Sequence, residues 1–198
     1  MQILLSSNKE IIKDYMKQGF IVGFIATASE LDDDRWYMEK DKKDLENMGF
    51  KLIDIDVTNE PKESIVKQFN FVDAVFVAGG NCFYLLQQLK QKNVLNELIG
   101  FANKKLYIGS SAGSCIACPS IEYVEKLDSK MDAPLLKDYN SMNLIDKYIL
   151  PHYQSDDEYT KLINDIIKDN PSLKFITLTN DQAIIVNNRD DYKIVNTK

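Results

Sequence analysis

Apolar and polar positions along this chain fall into short blocks with two alternating periods. Residues 20–26 (FIVGFIA), 73–77 (DAVFV) and 106–108 (LYI) are short apolar runs. Runs of that length and composition suit strands covered on both faces. Residues 1–6 read as a further strand, and residues 51–57 (KLIDIDV) alternate as a half-buried strand does. Between these runs lie segments with helical spacing of apolar and charged positions. They are residues 9–17, 33–48 (closed by Gly49 as a C-cap), 61–69 (opened by Pro61), 83–91, 94–102 and 156–168. Residues 148–150, 175–178, 183–187 and 192–195 complete the predicted strands.

Strand and helix alternate from residue 1 to about residue 115. That order predicts an α/β fold: a three-layer α/β/α sandwich with a mostly parallel central sheet. The last strands follow one another without a helix, which predicts an antiparallel edge at the C-terminal end. No stretch rich in Pro, Gly or Ser divides the chain, so residues 1–198 read as one domain. Residues 120–146 are irregular and contain Pro134. A connection that long in a compact domain is often functional.

Composition narrows the partners. The 198 residues carry 24 Lys+Arg against 30 Asp+Glu, a formal charge of −6. A net acidic chain lacks the electrostatic footprint of a nucleic-acid binder. No apolar run approaches the ~20 residues of a membrane span. The start, MQILLSSNKE, has no basic stretch before its apolar residues, so no signal peptide is read there. Three cysteines are present: Cys82, Cys115 and Cys118. An odd number without framework spacing argues against a secreted disulfide scaffold. Cys115 and Cys118 form a single C-x-x-C with no second pair, so no metal site is expected. The thiols read as small buried residues of a reduced, cytoplasmic protein.

Four of the eight glycines fall in two motifs. Gly109-Ser110-Ser111-Ala112-Gly113 directly follows the apolar run 106–108. A G-x-S-x-G between strand and helix is the context of a nucleophile elbow, in which a strained turn lifts Ser111 above the sheet. The start of the following helix then aims N–H groups and a positive dipole end at a developing oxyanion. Ala78-Gly79-Gly80-Asn81 follows the run 73–77 in the same way. It is read as a source of a second oxyanion donor, with Gly79 and Asn81 near substrate. The plainer reading makes Asn81 a helix N-cap. Both motifs close predicted parallel strands, the edge where open α/β sheets hold ligands. A serine nucleophile needs a base, and His152 is the only histidine. It sits behind Pro151 at another strand end. Imidazole titrates near neutrality, which suits a general base.

The run Phe76-Val77-Ala78-Gly79-Gly80-Asn81, then Leu85-Leu86, Tyr107 to Ser114, Ala117-Cys118-Pro119 and Pro151-His152-Tyr153 resembles the aspartyl dipeptidases (dipeptidase E-like serine peptidases). The resemblance implies a fold like the class I glutamine amidotransferases with serine at the elbow. It implies Ser111 as nucleophile, His152 as base, and the N–H groups of Gly80 and Ala112 as the oxyanion hole. It also implies an acid in the loop after the next strand. That loop reads Leu178-Thr179-Asn180-Asp181-Gln182, with Asn180 at the family's glutamate. Asparagine can orient a histidine but gives it no charge. A one-residue shift would bring Asp181 into the role, and Asp181 is the preferred candidate beside Asn180. Asp128 or Asp132 would give a different order, Ser-Asp-His.

A second departure concerns substrate. The family holds an acidic substrate residue with an arginine after the catalytic histidine. Here that region is Ser155-Asp156-Asp157-Glu158-Tyr159, without arginine. Acids there, Glu158 among them, would repel an aspartyl side chain and accept a basic or amino-terminal group. They also suit a helix's first turn. The expected protein is a cofactor-free serine hydrolase, monomer or homodimer, that cleaves short peptides or aminoacyl amides. Its expected partner is a small peptide substrate, with no nucleic acid and no membrane. The alternative is a non-catalytic peptide or small-molecule binding module on the same scaffold.

Overall fold

The computed structural model describes residues 2–6, 12–13, 15–154 and 157–196. Seven strands form the main sheet in the order β3-β2-β4-β5-β1-β8-β9. They are β1 (Gln2–Ser6), β2 (Ile21–Ile25), β3 (Lys51–Asp54), β4 (Ala74–Val77), β5 (Leu106–Ser110), β8 (Gln182–Asn188) and β9 (Asp191–Asn196). The first five strands in that order run parallel, while β8 is antiparallel to β1, and β9 to β8. The predicted parallel sheet and antiparallel edge are therefore both present. Two strands leave the main sheet: β6 (Tyr148–Leu150) and β7 (Phe175–Thr177) pair in parallel as a small sheet of their own. The helices are α1 (Trp36–Asn47), α2 (Lys62–Phe71), α3 (Cys82–Gln91), α4 (Leu95–Ala102), α5 (Ala112–Cys115) and α6 (Glu158–Asp169). Of the helix expected over residues 9–17, residues 9–11 and 14 lie outside the described residues; residues 12–13 are in a 3-10 turn, and the Tyr15 and Met16 N–H groups both donate to the Ile12 carbonyl.

The period-two alternation of β4 divides the core. Val75 and Val77 join the cluster beneath α2, α3 and α4, while Ala74 and Phe76 join the one that holds Met38 and Leu45 of α1. Phe24 and Phe76 stack on that second face with ring centroids 5.3 Å apart. All four β4 side chains are buried, so the run had no reason to alternate in polarity. Strand β3 ends earlier than its alternation suggests. Asp56 turns the chain by accepting hydrogen bonds from the N–H groups of Thr58 and Asn59. Helix α1 starts later than expected, because Asp34 Oδ1 accepts from the Trp36 N–H. Gly49 closes it as expected, with φ +90°.

The 120–146 segment folds back over α3. Two 3-10 turns, Glu122–Val124 and Lys130–Asp132, shape it. Lys90 pairs with Asp138, and Gln87 Oε1 accepts from the Leu135 N–H. The turns that follow β4 and β5 thus face this segment, with Asn81 tied to Ser129 and Asp132 and Cys82 to Asp128.

Close backbone packing holds the strand ends in place. A Cβ on Gly109 would lie 2.4 Å from the Gly113 carbonyl oxygen. Both partners are backbone, so neither can swing aside. Gly109→Ala is expected to cost about 3 kcal/mol through overpacking and to lower Tm by roughly 6–12 °C. Gly100 is the control. It sits inside α4, and a Cβ there would meet no heavy atom within 4 Å. Gly100→Ala is expected to stabilise by about 0.5–1 kcal/mol. Paired thermal melts check both signs.

Candidate active site

The elbow is built at the end of β5. Ser111 has φ 50° and ψ −109°, a left-handed backbone that side chains avoid. Three hydrogen bonds tie it down. The Ser111 N–H donates to the Ser6 carbonyl at 3.0 Å. The buried Ser114 hydroxyl lies 2.7 Å from the Gly109 carbonyl and accepts from the Ser6 N–H at 3.0 Å. The ends of β1 and β5 are thereby locked together beneath Ser111. The helix that follows is a single turn, Ala112–Cys115. Its macrodipole is correspondingly small, because peptide dipoles add along a helix. The dipole contribution expected from the sequence shrinks to the N–H groups themselves.

His152 follows β6 and also has positive φ, 62°. The bonds Leu178 N–H to Leu150 O and Tyr153 N–H to Leu178 O, each 2.9 Å, bring the loop after β7 alongside it. His152 Nε2 lies 3.0 Å from Ser111 Oγ, and Nδ1 lies 2.7 Å from Asn180 Oδ1. An amide oxygen only accepts, so Nδ1 carries the proton. The Nε2 lone pair then faces the serine hydroxyl. Tyr159 packs edge-on to the imidazole, with centroids 6.1 Å apart. The residue that meets Nδ1 is Asn180, and Asp181 is exposed on the same turn. Asp128 and Asp132 take other partners. Asp128 Oδ2 accepts from the Cys82 N–H at 2.7 Å, and Asp132 Oδ2 from Asn81 Nδ2 at 3.0 Å. The Ser-Asp-His order is not formed.

The glycine motif lies against the elbow. Gly80 has φ +129°, and a Cβ there would meet the Ala28 carbonyl oxygen at 2.2 Å. The position is open only to glycine. Neither the Gly80 nor the Ala112 N–H has a hydrogen-bond partner among the described residues, and both residues line the pocket that contains Ser111. Two unpaired backbone donors beside one nucleophile are what an oxyanion requires. A Cβ on Gly79 would lie 3.1 Å from Ser111 Cβ, so this residue keeps space for the serine side chain. Asn81 caps α3: its Oδ1 accepts from the Phe83 and Tyr84 N–H groups, and its Nδ2 donates to Ser129 O and Asp132. Its polar atoms are engaged within the protein, so the structure makes it a cap and a tie rather than a substrate ligand.

The pocket is a slot of only about 10 Å³, closed by Cys115, Val124, Leu127, Asp128, Pro151 and Tyr159. Glu158 is not among its lining residues and is exposed on the first turn of α6. Asp157 caps that helix through the Thr160 N–H at 2.6 Å. Ser155 and Asp156 lie outside the described residues. All three cysteines are free and buried. Burial pushes the Cys118 thiol up to about 12 and holds Cys82 well above the usual range, where a hydrogen bond with Cys115 is the largest cause. The Cys82 and Cys118 thiols therefore stay protonated. Among the described residues no group of His, Cys, Asp and Glu is arranged to hold a metal, and no helix is long and apolar enough to cross a membrane. Sequence reasoning missed Ser6, Ser114 and Tyr159. Ser114 had a signal, a small polar residue in the first turn after the elbow.

Three comparisons bear on this arrangement. The family model described as Peptidase family S51 matches residues 2–194. An uncharacterized peptidase of Listeria innocua is 36% identical over 197 residues, 94% of this chain and 92% of the relative. A peptidase E of a Nostoc species is 30% identical over 135 residues, 67% of this chain and 52% of the relative. A crystal structure of a Listeria monocytogenes protein, described as a candidate peptidase E, superposes with a TM-score of 0.91. It shares 29% identity and covers 100% of this chain and 98% of its own.

Proposed function

The chain belongs to peptidase family S51 and is a serine-type peptidase, and from that premise we propose that Ser111 and His152 carry out its chemistry on short peptides or aminoacyl amides. One observation supports this most strongly: a strained serine 3.0 Å from the Nε2 of the chain's only histidine. His152 Nε2 takes the hydroxyl proton as Ser111 Oγ bonds to the substrate carbonyl carbon. The Gly80 and Ala112 N–H groups stabilise the negative oxygen that forms. His152 then returns the proton to the leaving amine as the C–N bond breaks, which leaves an acyl-serine. Water, deprotonated by the same imidazole, adds to the acyl carbon and releases the acid and the serine. Asn180 keeps Nδ1 protonated and the ring aimed at Ser111 throughout.

Labelling with a fluorophosphonate followed by intact mass tests the assignment. One adduct per chain is expected, lost in both Ser111→Ala and His152→Ala. Well-folded protein that takes no label would turn the reading toward a binding module on this scaffold.

A further inference from the structure

We infer that Tyr123 and Cys118 are positioning residues for the reaction, because together they hold the strand that carries His152 in register with the elbow that carries Ser111. The inference rests on Ser111 and His152 being the reacting pair, and it names what sets the distance between them. The two halves of the site stand on different sheets. Ser111 follows β5 of the main sheet, whereas His152 follows β6 and Asn180 lies just past β7. Strands β6 and β7 pair only with each other. No strand ladder therefore fixes the 3.0 Å between His152 Nε2 and Ser111 Oγ.

Side chains do the work of the missing ladder. Tyr148 and Leu150 turn their backbone toward β7: the Tyr148 N–H donates to the Lys174 carbonyl at 3.0 Å, and the Leu150 carbonyl accepts from the Leu178 N–H at 2.9 Å. Ile149, between them, faces the other edge of β6, where it meets the chain beyond the elbow. Its N–H donates to Cys118 Sγ at 3.3 Å, and its carbonyl accepts from the Tyr123 hydroxyl at 2.6 Å. Cys118 Sγ lies 3.6 Å from the Tyr123 oxygen, which closes a ring of three groups. The Cys115 thiol faces the same carbonyl at 3.7 Å. Ile149, Cys115, Cys118 and Tyr123 are all buried, so a backbone group left unpaired here would be costly. Burial holds the Tyr123 phenol well above its usual range, which keeps it a donor. The Cys118 N–H donates to the Cys115 carbonyl at 3.1 Å, the bond of a 3-10 turn. Residues three apart on such a turn share a face, so the C-x-x-C spacing lets both thiols meet one residue of β6. Only Leu150 and Pro151 separate Ile149 from His152. A shift of Ile149 is thereby carried to the imidazole, and a misplacement of about 1 Å costs on the order of 10²-fold in rate.

The competing role is purely structural, a ring that keeps the small sheet folded. Tyr123→Phe opens the ring but keeps the aromatic contacts with Tyr148 and Phe175. The Met142 and Leu144 N–H groups still donate to the Ile116 and Ala117 carbonyls, so the segment entering β6 stays attached. Cys118→Ala removes the acceptor of the Ile149 N–H, and Cys118→Ser restores one. The rate constant for fluorophosphonate labelling is expected to fall about tenfold or more in Tyr123→Phe and Cys118→Ala, and to stay within about threefold of the parent in Cys118→Ser. The chain has one histidine, so ¹⁵N-histidine labelling reports His152 alone. Ser111→Ala marks where the Nε2 resonance moves once the serine contact is lost, and Asn180→Ala does the same for Nδ1. In Tyr123→Phe and Cys118→Ala the Nε2 resonance is expected to move toward its place in Ser111→Ala, while Nδ1 stays as in the parent, because Asn180 travels with His152 on the small sheet. Parent-like labelling in both variants, joint movement of Nε2 and Nδ1, or a Cys118→Ser protein as slow as Cys118→Ala overturns the inference. The two Cys118 variants carry the test alone if Tyr123→Phe does not fold. A parent protein that takes no label sinks the nucleophile instead, and the Nε2 resonance still decides the ring, because it reads position and not reactivity.

Discussion

Ser111→Ala is expected to lower kcat by about 10⁴-fold or more, roughly 5.5 kcal/mol of transition-state stabilisation, with the fold intact. The hydroxyl's hydrogen-bond partner is His152 Nε2, so its removal leaves no buried group orphaned. Alanine keeps a Cβ and therefore keeps the strain at φ 50°. The stability of Ser111→Ala is expected within about 0.5 kcal/mol of the parent. Ser111→Gly gives the complementary result. It is equally inactive, but glycine occupies positive φ freely, and the release of strain is expected to contribute about 1 kcal/mol or more. At this chain length each kcal/mol raises Tm by roughly 2–4 °C. A more stable and inactive Ser111→Gly would show that the elbow stores energy to hold its nucleophile. Ser111→Ala with more than a tenth of the parent kcat in a clean preparation would remove Ser111 from the mechanism.

The elbow was legible because three independent signals coincide at residues 106–113: an apolar strand, two glycines at fixed spacing and a serine between them. The structure adds the reason for the glycines, since each abuts backbone where a Cβ would intrude. The parallel sheet was legible from runs such as AVFV, buried on both faces. The third member of the site was less legible, because it turns on a single residue of phase in a loop. Thr179, Asn180 and Asp181 follow one another. The choice among them is made by the Leu150–Leu178–Tyr153 hydrogen bonds, which join residues 28 and 25 positions apart in sequence. Asp128 was weighed only as a partner for His152, because residues 120–146 have no periodicity to say which face their acids present. Folding that segment back over α3 carries Asp128 to the Cys82 N–H and the Ser111 pocket. The separate β6–β7 sheet was hidden for a related reason. Three-residue strands pair where their neighbours allow, and Tyr148 and Phe175 pack there with Tyr123 instead of on the main sheet.

The second large effect is expected at Asn180, in two opposite directions. Asn180→Ala removes the acceptor 2.7 Å from Nδ1. The imidazole then loses both its fixed tautomer and its aim at Ser111, and misplacement of that kind costs on the order of 10²-fold in kcat. Asn180→Asp keeps an oxygen in place and adds a full negative charge. Charge-assisted hydrogen bonds are roughly twice as strong as neutral ones, and the imidazolium exists only as the reaction proceeds. The carboxylate therefore stabilises the transition state more than the ground state, and kcat is expected to hold or rise by up to about tenfold. The same charge favours the protonated ring in free protein, so the acid limb of kcat/KM moves to higher pH. Converting the aspartate of a serine-protease triad to asparagine is severe because its amide group imposes the wrong tautomer. Here Asn180 already presents its oxygen, which is why the substitution to aspartate is expected to help. Full pH–rate profiles of the three proteins decide the matter. An Asn180→Ala profile that coincides with the parent would mean that Asn180 does not position the imidazole.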